Sequence, residues 1–328
     1  MMLSNAFCPL ASWVSGSRSP AMDTTLLYRS AVLNVANHRT VQHLVTRRAW
    51  RFARRFVAGT TIDEALTAID ALEKDGIHGI LDLLGEMVTS QQEVLEFSQL
   101  IGQHVTSFAS RPYPRYLSIK LTQIGLGLDF DLMIESAKTI LSTAREHDTF
   151  VRIDMEDSPR VDDTLRAFRL LREQGFDNLG LVLQSSLRRT ESDLRSLLDL
   201  KPNLRIVKGA YKEPPTVAYQ DKSTVDAAFV SLVKTNLAEG NHTAIATHDE
   251  RIINQLQSWN AEQGIPSERV EYQMLYGIRR DLQRRLAAEG HFVRAYVPFG
   301  TQWYPYFSRR IAERPENAWF VAKALIAG

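Results

Sequence analysis

The sequence predicts an α/β protein built as a (β/α)8 barrel of the TIM type, and three observations carry that prediction. Eight short apolar runs recur between Gly76 and Gly300, and helix-spaced amphipathic stretches separate them. The runs are continuously apolar, as strands are when both faces of a parallel sheet are covered, and strict β/α alternation makes the sheet parallel. Eight such units over roughly 225 residues suit a barrel whose usual size is ~250 residues. An open doubly wound sheet is the competitor. Against it, no G-x-G-x-x-G follows the early runs and no P-loop is present, so the usual phosphate cradles are missing.

A chain of 328 residues holds one large barrel or two ordinary domains. Its formal net charge of +1 offers no global field for steering nucleic acid, which argues against that partner. The single cysteine, Cys8, excludes an intramolecular disulfide and a multi-cysteine metal site, and fits a reducing compartment. No run approaches the ~18 consecutive apolar residues that a bilayer span needs.

Taken in order, residues 1–22 carry Phe7, Leu10, Trp13 and Val14 but lack a basic start, and Pro9 interrupts them. They read as a disordered leader or expression remnant instead of a signal peptide, with Met22 a candidate start. Residues 23–75 read as N-terminal helices, with Leu66, Ile69 and Leu72 at helical spacing and a Thr61/Glu64 capping box. Arg47, Arg48, Arg51, Arg54 and Arg55 are interleaved there with Trp50, Phe52 and Phe56. The basic run is short in a nearly neutral chain, so a solvated helix face is the first reading and a nucleic-acid or membrane contact the second.

Residues 76–328 form the barrel. Its strand runs are IHGILDLLGE ending at Glu86, YLSIKLTQIG at Gly125, FVRIDMED at Asp157 and LGLVLQ at Gln184, then LRIVKGAY at Tyr211, HTAIATHD at Asp249, VEYQMLYG at Gly277 and VRAYVPFG at Gly300. Helical patterns between them include 132–146, 164–174, 191–200, 225–239, 250–263 and 279–289.

A barrel builds its active site at the carboxyl ends of its strands, and polar residues gather there: Glu86, Lys120, Asp154, Gln184, Lys208, His248 and Tyr296, with Arg205 slightly earlier. Packed strands rarely keep unpaired charges, so several aimed at one mouth suggest a ligand site. Lys120 and Asp154 could equally form a structural ion pair. Arg205 and Lys208, three apart on one strand, face opposite sides, so only one need enter the barrel. Either lysine, Lys120 or Lys208, could form a Schiff base as barrel aldolases do. No HExxH or carboxylate–histidine cluster accompanies His248, so a hydrogen-bonding role fits it better than metal ligation. Tyr211, Leu275 and Tyr296 would ordinarily be core residues. Arg309 and Arg310 would ordinarily face solvent; both reach one ligand only if their helix crosses the mouth, where guanidinium forks would suit a carboxylate.

The ordered motifs LDLLGE, SIKLTQIG, RIDMED, LVLQ, RIVKGAY, ATHD, YQMLYG and RAYVPFG, followed by SRRIAERPEN, resemble those of the proline dehydrogenases, flavoenzymes that begin proline catabolism. The monofunctional bacterial type is the nearest in length. The resemblance implies FAD held non-covalently in a distorted barrel whose last helix lies across the mouth. It implies that Arg309, Arg310 and Lys120 bind the carboxylate of L-proline, that Asp154 pairs within that cluster, and that Tyr296, Leu275, Ala210 and Tyr211 wall the ring. Glu86 would latch to Arg309 as a gate. Gln184, Arg205, Val207, Lys208, Gly209, Ala210, Thr247 and His248 would meet FAD, with Arg205 stabilising the reduced ring.

Hydride would pass from C5 of proline to flavin N5, giving Δ1-pyrroline-5-carboxylate, and a membrane quinone would take the electrons. That implies a cytoplasmic protein, at most peripheral to the inner membrane, with the arginine-aromatic stretch near Trp50 as the candidate contact. Tyr296 implies a preference for proline over hydroxyproline. Lys212 stands where bifunctional relatives have tryptophan.

Overall fold

The computed structural model describes residues 50, 52–85 and 88–312, the last four by backbone alone. Eight parallel strands close into a barrel in sequence order, the first pairing with the last. They are β1 (His78–Leu83), β2 (Arg115–Ile119), β3 (Thr149–Ile153), β4 (Leu179–Gln184), β5 (Leu204–Val207), β6 (Thr243–Ala246), β7 (Val270–Leu275) and β8 (Val293–Phe299). Helix α1 (Ile62–Glu73) precedes the barrel, and α2 (Gln91–Phe108), α3 (Phe130–Glu146), α4 (Val161–Glu173), α5 (Thr190–Leu197), α6 (Lys222–Glu239), α7 (Glu250–Gln263), α8 (Arg280–Ala288) and α9 (Trp303–Ala312) follow successive strands. The expected barrel is the observed one.

The expected capping box starts α1: the Thr61 hydroxyl accepts from the Glu64 amide while the Glu64 carboxylate accepts from the Thr61 amide. Its apolar face, Ala65, Leu66, Ile69 and Leu72, belongs to the same core as the strands. Gly79 on β1 makes this fit possible, since a Cβ there would lie 2.5 Å from the Ile69 side chain.

Two features depart from the sequence reading. The run YLSIKLTQIG is not one strand: β2 stops at Ile119, and Leu121–Ile124 turns as a 3-10 helix into Gly125 at φ 117°. Gln123 fixes that turn, accepting from the Lys120 amide and donating to the Leu83 and Gly85 carbonyls. The reading also left the interval between the first two runs without a helix, where α2 starts at its N-cap Ser90.

The barrel interior is polar along much of its length. At the amino-terminal end Arg152 and Arg294 are buried beside Tyr116 and Glu271. Arg294 Nε donates to Glu271 (3.1 Å), and Arg152 donates to the Tyr116 hydroxyl and the Asn203 carbonyl. Such charges survive burial because each finds a carboxylate or several oxygens.

Candidate active site

The carboxyl ends of the strands open onto a cavity of about 790 Å3. Its floor is a buried charge cluster assembled from five strands or strand ends. Asp154, just past β3, accepts from Arg205 Nη1 (2.7 Å), from the Ser118 hydroxyl (2.7 Å) and from the Tyr296 hydroxyl (2.6 Å). Lys120 Nζ lies 3.1 Å from Asp82 Oδ1 and 3.6 Å from Asp154 Oδ2. The Lys120–Asp154 ion pair anticipated from sequence is therefore real but secondary.

Asp82, only 1 % exposed, is the residue that sequence reasoning missed. It lies in the middle of an apolar strand run instead of at its end, and a carboxylate within HGILDL was the available signal. Gln273 was missed likewise: it lies inside β7 and accepts from Arg205 Nε at 2.6 Å.

The two carboxylates titrate in opposite senses. Burial pushes Asp82 up, with Asp154 adding to the rise, and Lys120 only partly offsets it. Burial also pushes Asp154 up, but Arg205, Lys120 and the two hydroxyl donors outweigh it and hold Asp154 below the usual range. Burial alone would lower Lys120, yet Asp82 and Asp154 raise it above an ordinary lysine. A Schiff-base lysine needs the opposite shift, so Lys120 is a fixed cation and not an amine nucleophile. Lys208 sits at the cavity edge, paired to Asp226 of α6 (2.5 Å) and 3.7 Å from Asp249. Arg205, on β5, enters the barrel, while Lys208 stands one residue past the strand.

The remaining expected residues fall around the same cavity: Gln184, Val207, Gly209, Ala210, Tyr211, Thr247, His248 and Leu275 all line it. His248 accepts through Nε2 from the Leu275 amide (3.0 Å), which leaves its proton on Nδ1 and gives it the hydrogen-bonding role. Gln184 donates to the Glu156 carbonyl at 2.7 Å. Tyr306, on α9, also lines the cavity, so that helix reaches the mouth. Arg309 and Arg310 lie on α9, but their side chains fall outside the described residues, as does Glu86 and hence the expected latch.

The described aromatics of the N-terminal segment pack against α9, while Arg47, Arg48 and Arg51 of that stretch fall outside the described residues. Phe56 is buried against Trp303, Tyr306 and Phe307 of α9, and Trp50 and Phe52 pack on the same cluster. Trp50 and Phe52 are half-buried there.

The cavity suits a flavin. Its volume is that of a cofactor or drug-sized site, and Arg205 Nη2 is a buried donor with no hydrogen-bond partner among the described residues. A planar, electron-rich heteroaromatic edge would satisfy that donor.

A family model described as proline dehydrogenase matches residues 65–323. The chain is 49 % identical over 306 residues to a proline dehydrogenase of Deinococcus radiodurans, covering 92 % of this chain and 99 % of that one. It is 45 % identical over 274 residues to proline dehydrogenase 1 of Bacillus subtilis, covering 84 % and 90 %. Among solved structures, proline utilization A from Bdellovibrio bacteriovorus superposes with a TM-score of 0.76 at 23 % identity, covering 88 % of this chain and 36 % of the other, a likeness of fold.

Proposed function

The chain belongs to the proline dehydrogenase family, and on that premise we propose that it oxidises L-proline to Δ1-pyrroline-5-carboxylate with FAD bound in the barrel mouth. The observation that carries the reading is that Lys120, a fixed cation, and Arg205, whose Nη2 has no partner among the described residues, line one cavity. Substrate carboxylate and cofactor each find a partner there.

Lys120 provides a permanent charge for the carboxylate, and Arg309 and Arg310, on the helix that reaches the mouth, complete the clamp. Tyr296, Leu275, Ala210 and Tyr211 give the ring its walls. Tyr296 spends its hydroxyl on Asp154 and lines the cavity. Asp154 is held ionised and neutralises Arg205, which keeps the floor from being overwhelmingly cationic. No side chain acts as a strong base: proline enters as the free amine, and rate comes from holding C5 in place. Gln184, Arg205, Val207, Lys208, Gly209, Ala210, Thr247 and His248 would hold FAD, which supplies a two-electron acceptor for the hydride leaving C5 as the nitrogen lone pair closes the C=N bond. The electrons then go to a membrane quinone. Among the described residues no helix is long and apolar enough to cross a membrane.

The test is optical. The purified protein should be yellow, bleach anaerobically on addition of L-proline, and regain its colour with a soluble quinone. A protein that takes up no FAD, or whose flavin is indifferent to proline, overturns the reading.

A further inference from the structure

A continuous chain of hydrogen bonds runs through the barrel interior from its amino-terminal end to the cavity. Arg294 Nε donates to Glu271 Oε2 (3.1 Å), and Gln273 Nε2 donates to Glu271 Oε1. Gln273 Oε1 accepts from Arg205 Nε (2.6 Å), and Arg205 Nη1 donates to Asp154 Oδ1 (2.7 Å). Glu271, Gln273 and Arg294 are each at most 5 % exposed. None of them has been given a part in the chemistry so far.

Gln273 is the one member that can face either way, since an amide presents a donor at one end and an acceptor at the other. Its neighbours remove the choice. Arg205 has only N–H donors, and the Glu271 carboxylate has only acceptors, so a flipped amide would set donor against donor and acceptor against acceptor. Arg294 beside Glu271 keeps that carboxylate ionised against its burial. The amide oxygen is thereby committed to Arg205 Nε.

That commitment decides how the guanidinium lies. A guanidinium beside a carboxylate prefers the two-pronged pairing in which two nitrogens address two oxygens. Here Arg205 gives Asp154 a single short bond, because Nε is held by Gln273 and the other Asp154 oxygen accepts from Tyr296. The nitrogen left over is Nη2, buried and without a partner among the described residues.

We propose that Gln273 is a positioning residue: through its bond to Nε it keeps the Arg205 guanidinium from pairing two-pronged with Asp154, which leaves Nη2 for the electron-rich edge of the bound cofactor and favours its reduced state. The proposal rests on the flavoenzyme reading. Gln273 also lines the cavity, and the role proposed for it runs through Arg205.

Gln273→Leu removes the acceptor while keeping the volume. Arg205 then has no reason to hold Nε on β7, and it closes onto Asp154. The FAD-loaded variant should bind reduced flavin about tenfold less tightly relative to oxidised flavin. For a two-electron couple that is a midpoint potential about 30 mV below wild type, read by equilibration with a reference dye. In an Arg205→Met background, Gln273→Leu should move the potential no further. A wild-type potential in Gln273→Leu, or a shift that adds to that of Arg205→Met, overturns the proposal. A crystal structure of Gln273→Leu without flavin gives a second readout: Arg205 paired two-pronged to Asp154 supports it, and Arg205 unmoved overturns it. If wild type takes up no FAD, the flavoenzyme reading fails on its own, and the guanidinium position still decides whether Gln273 sets it.

Discussion

At the mouth, Lys120 is shared between two carboxylates that do different work. Asp154 is saturated by Arg205, Ser118 and Tyr296, and its 3.6 Å separation from Lys120 is too long for a hydrogen bond. The lysine is therefore held by Asp82 at 3.1 Å. Asp82→Ala would let Nζ close onto Asp154 and withdraw from the ligand. We expect KM for proline to rise about tenfold, about 1.4 kcal/mol of binding, with kcat changed much less. Asp82→Asn, which can still accept from Nζ, should restore most of the affinity. Steady-state kinetics on the pair of variants checks this; an Ala variant with wild-type KM would show that Lys120 needs no such anchor. The same two residues show what the linear pattern conveys about a site. Lys120 and Asp154 were legible because they end apolar runs, where a barrel places its chemistry. Asp82 and Gln273 were not, since which face of a strand points inward is fixed only when β8 closes on β1.

At the scale of elements, the end of β8 and helix α9 are held from outside by an unexpected partner. The segment at 52–59 clasps the loop after β8: the Ala58 amide donates to the Pro298 carbonyl (2.8 Å), and the Gly300 amide donates to the Gly59 carbonyl (3.0 Å). Its aromatics form one cluster with Trp303, Tyr306 and Phe307, which sets how α9 lies against the mouth. Gly277, after β7, makes room for the clasp. It adopts φ 75°, and a Cβ there would fall 1.7 Å from the Arg55 carbonyl oxygen. Gly277→Ala must therefore displace the clasp as well as strain the backbone, a strain of order 1–3 kcal/mol by itself. We expect a loss of about 2–4 kcal/mol in urea unfolding, together with new tryptic cleavage at the exposed Arg54 and Arg55 of the folded protein. Destabilisation without new cleavage would mean that the clasp stays in place.

This layer was only partly legible. Helical spacing and the capping box announced α1, and its Ile69 contact with β1 follows from its apolar face. The aromatic and basic residues near Trp50 were ambiguous, because an amphipathic segment has the same pattern whether its apolar side meets a lipid, a partner or its own barrel. Likewise four residues, Leu121–Ile124, are too few for periodicity to separate a strand end from a 3-10 turn; the Gln123 side-chain bonds that decide it are tertiary.

At the scale of the whole molecule, two histidines whose pKa values are lowered, together with the paired charges, set the response to acid. His104, on α2 against the Phe299 ring (5.1 Å), is driven below its ordinary value of 6.5 by burial, with Nδ1 unpartnered among the described residues. His242 is lowered by burial too, only partly opposed by Glu271. A depressed folded pKa means that stability is complete above the unfolded value, where both states are neutral. It is lost as pH falls from about 6.5 through the folded value, because the unfolded chain takes up protons that the fold refuses. Each histidine contributes up to about 1.4 kcal/mol per pH unit in that window. Depressed carboxylates such as Asp154 and Glu271 follow the same sign, but only as pH falls below the usual carboxylate range, near 4. Through these histidines urea unfolding free energy should decline between pH 6.5 and 5.5, a decline opposed by the carboxylates that burial holds above their usual range, Asp82 and Glu156 among them, which take up protons first in the fold. His104→Leu, which places an apolar group in an apolar site, should shed about half of that slope while leaving stability at pH 8 nearly unchanged. An unaltered slope in this variant would assign the acid response to groups other than the His104 imidazole.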